Sequence, residues 1–409
     1  MRISTNQIHE SGVRDMQRIN QDLAQTQAQI SSGKRLIRPS DDPVGASRIV
    51  DLNREVAQRA TFIRNTENAE SLIEQEESVL TRVIDITQRI QELTIQAGDA
   101  AQTFEDRKYI ATEVEARLEE LQGLVNSRGT DGTFIFAGNR GGRQPFIQDG
   151  DSIRYTGDQG QRILQVDRQL YVPTNDPGSR IFVDIPSVGP NFSVIPGSAN
   201  KGTGVVYVAG ISDDKKLSDL VPETLLVEFR PPSEAGGMSN YTIRRQSDQR
   251  VVEGLQNVTF QPGDRIRVGG MEMSVSGQPV EGDGFVISTG NTSGLLQTVS
   301  ALVNGLRSID AGRDPKTFGK LIDDTIGNLN NASDSILQVQ SDIGARLNTL
   351  TATRTFHEEQ NLATEALISA VRDVDYAEAV SRLSFQSFVL EAAQQSYLRV
   401  SQLSLFNAL

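Results

Sequence analysis

Proline placement constrains this chain more than any other feature of its sequence. Eleven of the 14 prolines lie between Pro145 and Pro279, and none occurs in residues 44–144 or 316–409. A proline inside an α-helix removes a hydrogen bond, clashes with the preceding turn and costs about 3 kcal/mol. Both flanks of the chain can therefore form long helices, whereas the middle cannot.

The first flank opens with a predicted helix over residues 6–32. Its apolar side chains recur at steps of three and four, which is the spacing of a coiled-coil seam. The seam consists of Met16, Ile19, Leu23 and Ile30, with Thr26 in register. A seam of this kind predicts a partner helix.

A corner follows this helix. Gly33 stands where a left-handed residue would end a helix, and Pro39 keeps Arg38 extended. Asp42 predicts an N-cap, and Pro43 suits the first helical position because its missing N–H needs no partner there. The sequence therefore predicts that a new helix starts at Asp42 and Pro43.

Helical spacing continues on both sides of the middle region. A helix from Pro43 to Ala97 would be about 80 Å long, which suits a rod rather than a globular core. Shorter helices are predicted around residues 114–125 and 295–309, and a second long helix over about 316–371. The sequence Arg372-Asp-Val-Asp375 predicts another corner, where the carboxylates serve as caps or ion-pair partners.

Between residues 129 and 290 glycines become frequent, and short alternating runs are separated by turn residues. This pattern predicts antiparallel β structure, a barrel or a sandwich. The predicted strands are 133–136, 153–155, 162–166, 181–184, 204–208, 225–230, 241–245, 265–268, 272–275 and 284–288. Whether they form one unit or two, the sequence leaves open. The predicted fold class is α+β: a long antiparallel helical coiled coil or bundle built from both chain ends, with a central antiparallel β domain inserted.

The last segment, Val380–Leu409, is unusually poor in charge. It holds three charged residues, Arg382, Glu391 and Arg399, and 16 of its 30 residues are apolar. A solvated helix normally carries a charged face. One apolar stripe recurs every seven residues, which marks a surface for a partner helix. The stripe is Leu383, Leu390 and Tyr397, and Leu403, Leu405 and Phe406 add an apolar tip.

Composition argues against several classes of function. The formal charge of −13 disfavours binding to nucleic acid, and without an apolar run of about 18 residues we expect no membrane span. The chain has no cysteine, so neither disulfides nor thiol chemistry are expected. His9 and His357 stand alone in helical stretches, so we expect no catalysis, cofactor or metal site. The start lacks the apolar core of a cleavable signal peptide.

Two interpretations of the chain ends stay open. Residues 1–32 and 380–409 form either two helices of one intramolecular bundle, or surfaces that identical neighbours cover in a ring or tube. We favour the second, because two helices alone leave their outer faces in water and burial of more apolar area needs further partners. The ends are then expected to be disordered in the monomer and to fold on assembly.

Five segments carry a resemblance to a known family: Met1-Arg-Ile-Ser-Thr5, Ser32-Gly-Lys-Arg35, Pro39-Ser-Asp-Asp-Pro43, Phe134-Ile-Phe-Ala-Gly138 and Leu403-Ser-Leu-Phe-Asn-Ala-Leu409. Together they resemble the hook-associated protein 3 (FlgL) family of flagellar hook–filament junction proteins, in the flagellin-like superfamily. The resemblance covers residues 1–140 and 295–409, and the middle carries none.

The resemblance implies a mechanical role outside the cell. Such proteins form a ring between hook-associated protein 1 (FlgK) and the flagellin filament, where they buffer a flexible joint and provide a template for filament growth. By this resemblance, residues 1–42 with 372–409 belong to an inner tube, 43–140 with 291–371 to a long-helix bundle, and 141–290 to an outer β domain. The subunit is expected to be a monomer in solution.

The resemblance also implies secretion through the flagellar type III apparatus and an export chaperone (FlgN) that holds the C-terminal helix beforehand. The stripe Leu383, Leu390 and Tyr397 would then serve the chaperone first and neighbouring subunits later.

Two other functions remain alternatives. Flagellin shares the same helical scheme, although Phe134-Ile-Phe-Ala-Gly138 and Asp41-Asp-Pro43 resemble the junction protein more closely. From a different class, the β domain could be a ligand-binding or adhesive module on a coiled-coil stalk.

Overall fold

The computed structural model describes residues 5–149, 152–197 and 199–406. The chain forms two compact units, Met1–Thr66 with Thr351–Leu409, and Glu67–Leu350. The helices of the described residues are α1 (Thr5–Ser32), α2 (Pro43–Gly98), α3 (Phe104–Val125), α4 (Gly178–Phe182), α5 (Asp214–Ser218), α6 (Leu295–Ser308), α7 (Pro315–Arg372) and α8 (Tyr376–Phe406). The two longest, α2 and α7, contribute residues to both units.

The strands all pair antiparallel. They are β1 (Phe146–Asp149), β2 (Ser152–Tyr155), β3 (Ile163–Gln165), β4 (Tyr171–Pro173), β5 (Pro186–Pro196), β6 (Val205–Ile211), β7 (Thr224–Arg230), β8 (Asn240–Arg245), β9 (Val258–Thr259), β10 (Arg265–Val268), β11 (Met271–Ser276) and β12 (Gly284–Thr292). Helices at both ends and antiparallel strands between them confirm the predicted α+β class.

The unit Glu67–Leu350 contains two separate hydrophobic cores. In the first, α3 and α6 pack together, and parts of α2 and α7 supply further buried side chains. Its fully buried residues include Ile73, Leu80, Ile90, Leu121, Leu302, Leu329 and Ile343. Apolar side chains at steps of three, four or seven line these helices, so their burial follows from the spacing that predicted them.

Two short hairpins, β1–β2 and β3–β4, and helix α4 complete the first core. The rings of Phe136 and Phe182 meet edge to face with centroids 5.0 Å apart, and the ring centroids of Phe146 and Phe182 lie 6.0 Å apart. Three buried aromatic rings contribute about 1.5–3 kcal/mol each. Residues 146–149 and 152–182 therefore pack as part of the helical core.

The second core lies between two sheets. One sheet has the strand order β5-β12-β7-β8-β9, and the other β10-β11-β6. The ring of Phe229 on β7 is central, with centroids 5.3 Å from Phe260 and 6.1 Å from Phe285. Alternate residues of β7 and β11 point into this core, which is the period-2 pattern that predicted both strands.

The two sheets around the second core begin and end at residues that are neighbours in space, and from here on we call residues 186–292 the β domain. Pro186, the first residue of β5, pairs with Thr292, the last residue of β12. The N–H of Ser293 donates a hydrogen bond of 2.8 Å to the carbonyl of Ile185. The predicted insert of residues 141–290 stays a prediction. From the packing, we propose 186–292 as the part that has its own core.

Two of the predicted strands are wrong. Residues 133–136 lie in turns, where Phe134 makes a single bridge to Arg128. Residues 181–184 overlap helix α4, because Ile181 and Phe182 bury against the helical core. Alternation over four residues cannot separate a strand from a turn or a short helix whose burial a distant partner decides.

The sequence also failed to predict the longest strand, β5. It contains Pro186, Pro190 and Pro196, which argue against a central strand. The structure resolves this conflict by placing β5 at the edge of its sheet. On α7, Asn328 accepts a hydrogen bond of 2.9 Å from Val188 N–H, and Asn331 donates one of 2.8 Å to Pro186 O.

Removal of residues 186–292, with a short glycine link from Ile185 to Ser293, should leave the first core folded. The cut ends are already hydrogen-bonded, so closing them costs little loop entropy. Circular dichroism should show retained helix and one cooperative thermal transition. A larger deletion of 146–285 removes Phe146 and Phe182 and should fail to give that transition. Equal behaviour of the two deletants would contradict the proposed boundary.

Candidate assembly surface

The helices α1 and α8 of the unit Met1–Thr66 with Thr351–Leu409 pack against each other. Two contacts fix their relative direction. A methyl group at Gly12 would lie 3.2 Å from Cδ2 of Tyr397, and one at Gly33 would lie 3.0 Å from Oη of Tyr376. Because the residue number rises along α1 while it falls along α8, the pair is antiparallel.

The predicted seams of the two helices face each other in this pair. Met16, Ile19, Leu23 and Ile30 on α1 are half-buried, and so are Leu383, Leu390 and Tyr397 on α8. The register set by Gly12 and Gly33 brings Ile19 level with Leu390, and Thr26 level with Leu383. The partner helix that each seam predicted is thus the other end of the same chain.

Some predicted residues cannot be placed in this way. The side chains of Leu403, Leu405 and Phe406 lie outside what the structure describes, although the α8 backbone reaches Phe406. Residues 1–4 and 407–409, which carry parts of the family resemblance, also lie outside. A role of any of these residues in assembly or chaperone binding stays a prediction.

A clasp of backbone hydrogen bonds joins the two corners of this unit; we call residues 33–36 and 371–374 the corner clasp. Gly33 has φ +69°, the left-handed conformation that its position predicted. Its carbonyl accepts a hydrogen bond of 3.0 Å from Val374 N–H, and Arg35 N–H donates one of 2.7 Å to Arg372 O. The Arg35 guanidinium adds a bond of 2.7 Å to Val371 O.

The helix-start corner also forms as predicted. Oδ1 of Asp42 accepts a hydrogen bond of 2.9 Å from Gly45 N–H, so Asp42 caps α2, and Pro43 is the first helical residue. Oδ2 of Asp41 accepts two bonds from the preceding loop, from Ile37 N–H and Arg38 N–H, at 3.1 and 2.9 Å. Asp41 therefore holds the preceding loop, whereas Asp42 caps the start of α2.

The second corner uses its carboxylates as predicted. Oδ1 of Asp375 accepts hydrogen bonds from Ala377 N–H at 2.9 Å and Glu378 N–H at 3.2 Å, which caps α8. Hydrogen bonds from the side chains of Arg372 and Ser369 hold the pKa of Asp373 below its usual value. These carboxylates are structural groups rather than an acid–base pair.

One face of α8 stays exposed and apolar. Phe385 is 67% exposed and Phe388 is 69% exposed, and both point away from the half-buried stripe. Val380 and Leu398 flank them and are also largely exposed. We call these four residues the outer face. The low charge of the segment indicated such a surface, but the spacing alone did not show which side of the helix α1 would cover.

Chemical sites are not apparent in the part of the chain that the structure describes. Nowhere in those residues do three or more histidine, aspartate or glutamate side chains group to hold a metal ion. His357 is buried and stacks on Phe62 with ring centroids 5.5 Å apart, which is a packing role. The structure describes the backbone of His9 but not its side chain.

None of the helices in the part of the chain that the structure describes is both long and apolar enough to cross a bilayer.

Comparison with known proteins gives the class of this chain. The model of the bacterial flagellin N-terminal helical region matches residues 3–140, and that of the C-terminal helical region matches residues 326–409. The matches together cover more than half of the chain, which belongs to the bacterial flagellin-like family. Each matched region contains one side of the corner clasp and one of the two paired end helices.

Within this family, the predicted resemblance to hook-associated protein 3 is confirmed. The chain is 32% identical over 187 residues to flagellar hook-associated protein 3 of Salmonella typhimurium, which is 46% of this chain and 58% of that protein. The chain therefore spans less than two thirds of the length of this curated relative. The crystal structure of flagellar hook-associated protein 3 from Legionella pneumophila is 28% identical, with a TM-score of 0.53 over 79% of this chain and 98% of that one.

Similarity to flagellin is weaker. Flagellin B of Helicobacter pylori is 27% identical over 131 residues, which is 32% of this chain and 25% of that protein. The comparisons therefore favour hook-associated protein 3 over flagellin, as the motifs at residues 41–43 and 134–138 predicted.

Replacement of Asp42 by alanine should destabilise the start of α2 by about 1 kcal/mol, because it removes the side-chain cap. A further change of Pro43 to glycine should add to the loss, since the preset φ is removed as well. Hydrogen exchange of the first turn of α2 measures the effect. The matched control is Asp51→Ala, which removes only an exposed ion pair of 3.6 Å with Arg54. Equal protection in the Asp42 and Asp51 variants would contradict the capping role.

Proposed function

We propose that this chain is the structural subunit that forms the junction between hook and filament in a bacterial flagellum. The observation that carries the proposal is the antiparallel pair of chain ends with its outer face of exposed phenylalanines. The similarity to hook-associated protein 3 at both helical regions supports it. The role is mechanical, and no step of it requires catalysis.

The outer face supplies a physical reason for assembly. A phenylalanine gains about 1.5–3 kcal/mol when it moves from water into a packed interface. Phe385 and Phe388 remain mostly exposed in the single chain. Identical neighbours arranged around a ring would cover these residues in every subunit at once. We also propose that the chain ends adopt this paired arrangement in the assembled ring and are disordered in the monomer.

The partners follow from the same role. A junction subunit touches hook-associated protein 1 (FlgK) on one side and flagellin on the other. Before export, an apolar segment with three charges over residues 380–409 would aggregate if it were left bare, so a chaperone such as FlgN would cover it. Export through the flagellar type III apparatus then brings the subunit to the cell exterior.

A second candidate is flagellin itself, favoured by the similarity to flagellin B. The two functions differ in location and copy number. A flagellin would be found along the whole filament, whereas a junction protein would lie only at the base of the filament.

A strain that lacks this protein should assemble hooks but no filaments. Electron microscopy of purified hook–basal bodies and immunogold labelling of wild-type flagella test the location. Restored filaments after expression of the full chain provide the control. Label along the whole filament would support flagellin, and normal filaments in the deletion strain would refute both candidates.

The change of Phe385 and Phe388 to aspartate should leave the single chain folded but stop filament formation. Both side chains already face water, so helix content and thermal unfolding should change little, whereas each buried aspartate in a ring would be strongly unfavourable. Circular dichroism and motility assays measure the two effects.

Two further variants separate the faces of α8. Leu390→Asp with Tyr397→Asp alters the half-buried stripe and should weaken the α1–α8 pair itself. Ser387→Asp with Gln394→Asp adds the same charge at exposed polar positions between the two faces and should affect motility much less. If the Phe385/Phe388 variant assembles as well as the Ser387/Gln394 control, the outer face is not an assembly surface. Calorimetry with the chaperone shows which face it uses.

A further inference from the structure

A buried network of charged groups lies in the unit Glu67–Leu350. Its centre is Asp176, which has no exposed surface. The guanidinium of Arg346 on α7 donates two hydrogen bonds to the Asp176 carboxylate, at 2.8 and 3.0 Å. Gln161 adds a third at 2.6 Å, and Arg180 stands 3.7 Å away. This carboxylate is therefore fully compensated by its neighbours.

Glu76 on α2 lies beside this network and is equally buried, but it is only half satisfied. Its Oε1 accepts a hydrogen bond of 3.0 Å from the backbone N–H of Asp176. Its Oε2 has no hydrogen-bond partner among the described residues. Nearby, Nε of Arg162 is also buried without a partner in the described part of the chain. A buried carboxylate in this position is costly to ionise.

The network holds the segment 175–178, which leads from β4 into the first residue of α4 and which we call the 175–178 turn. This segment also holds the Phe134–Gly138 motif. The side-chain amide of Asn175 donates to the carbonyls of Ile135 and Gly138, at 3.3 and 3.4 Å. The N–H of Gly178 donates a bond of 2.9 Å to Phe136 O. Glu76 therefore connects α2, through one backbone bond to the turn, with a segment packed between the helices and the small hairpins.

The charges that face Glu76 come from every element around it. Asp176 in the turn is negative, and Arg346 on α7 and Arg162 next to β3 are positive. Beyond them, Asp131 pairs with Arg162 at 3.5 Å, and Asp342 pairs with Arg180 at 2.9 Å. Burial raises the pKa of Glu76 well above its usual value, and the negative charge of Asp176 raises it further. The hydrogen bond from the Asp176 backbone N–H and the charges of Arg346 and Arg162 lower the pKa by less.

We propose that Glu76 is a proton-controlled latch, closed when its carboxyl is neutral, that ties α2 to the 175–178 turn and through it to residues 134–138. When the carboxyl ionises, a second buried negative charge appears beside Asp176, and the latch loosens. The linkage between protonation and folding gives the direction of the pH effect. A group whose pKa is higher in the folded than in the unfolded protein contributes stability at low pH, and this contribution is lost as pH rises through the folded pKa.

The test is hydrogen exchange of the full chain from about pH 5 to about pH 9, the range in which buried glutamates titrate. Exchange rates are corrected for the pH dependence of the free peptide. In the wild type, protection of the Asp176 and Gly178 amides should fall with rising pH, by up to about tenfold per pH unit. The Phe229 amide in the β domain, bonded to Asp283 O at 2.9 Å, is the internal control and should stay constant.

The variant Glu76→Gln mimics the neutral carboxyl and should keep the 175–178 turn protected across the whole range. The matched control Glu74→Gln changes an exposed glutamate two residues away and should behave like the wild type. A Glu76→Gln protein as sensitive to pH as the wild type would overturn the proposal. The wild-type profile alone is a second test: constant protection of Asp176 and Gly178 would overturn it even if the variant failed to fold.

Discussion

The corner clasp is the interaction on which the proposed function depends. It joins residues that are more than 300 positions apart in the chain: the Arg35 guanidinium reaches Val371 O across 336 residues. Closing so long a loop costs on the order of 5 kcal/mol of chain entropy. Several backbone bonds, the left-handed Gly33 and the antiparallel packing of α1 and α8 together offset that cost. Because of the clasp, both chain ends present one shared surface.

Local signals made the helical part of this fold predictable. Proline-free flanks, Gly33 and the Asp42-Pro43 pair each determine the conformation of the backbone next to them. Where the helices start and end can therefore be predicted from the local sequence. The regions that failed are those whose structure depends on a distant partner. Ile181 and Phe182 become helical because the helical core accepts them, and β5 tolerates three prolines because it is an edge strand.

The proposed assembly surface shows the same division. Steps of three, four and seven residues selected Leu383, Leu390 and Tyr397, which are half-buried on α8, but they could not say that α1 covers these residues. Because α1 covers that side of α8, Phe385 and Phe388 on the opposite side remain exposed. Glu76 was hidden among neighbouring glutamates in the sequence Glu74-Gln-Glu-Glu77, since only the folded chain brings Asp176 and Arg346 beside it. In both cases the missing information is a tertiary contact, which the spacing of residues in the sequence does not reveal.

The edge strands of the β domain matter for the proposed assembly of many copies. Subunits held side by side would bring their sheets close together, and an open strand edge would then invite sheet-to-sheet pairing and fibre formation. One edge of the larger sheet is β5, whose prolines lack N–H donors, and the other is β9, only two residues long. In the smaller sheet, Arg265 and Arg267 place charges on the edge strand β10. These three edges are thus poor templates for a neighbouring strand, which disfavours polymerisation of crowded subunits through them.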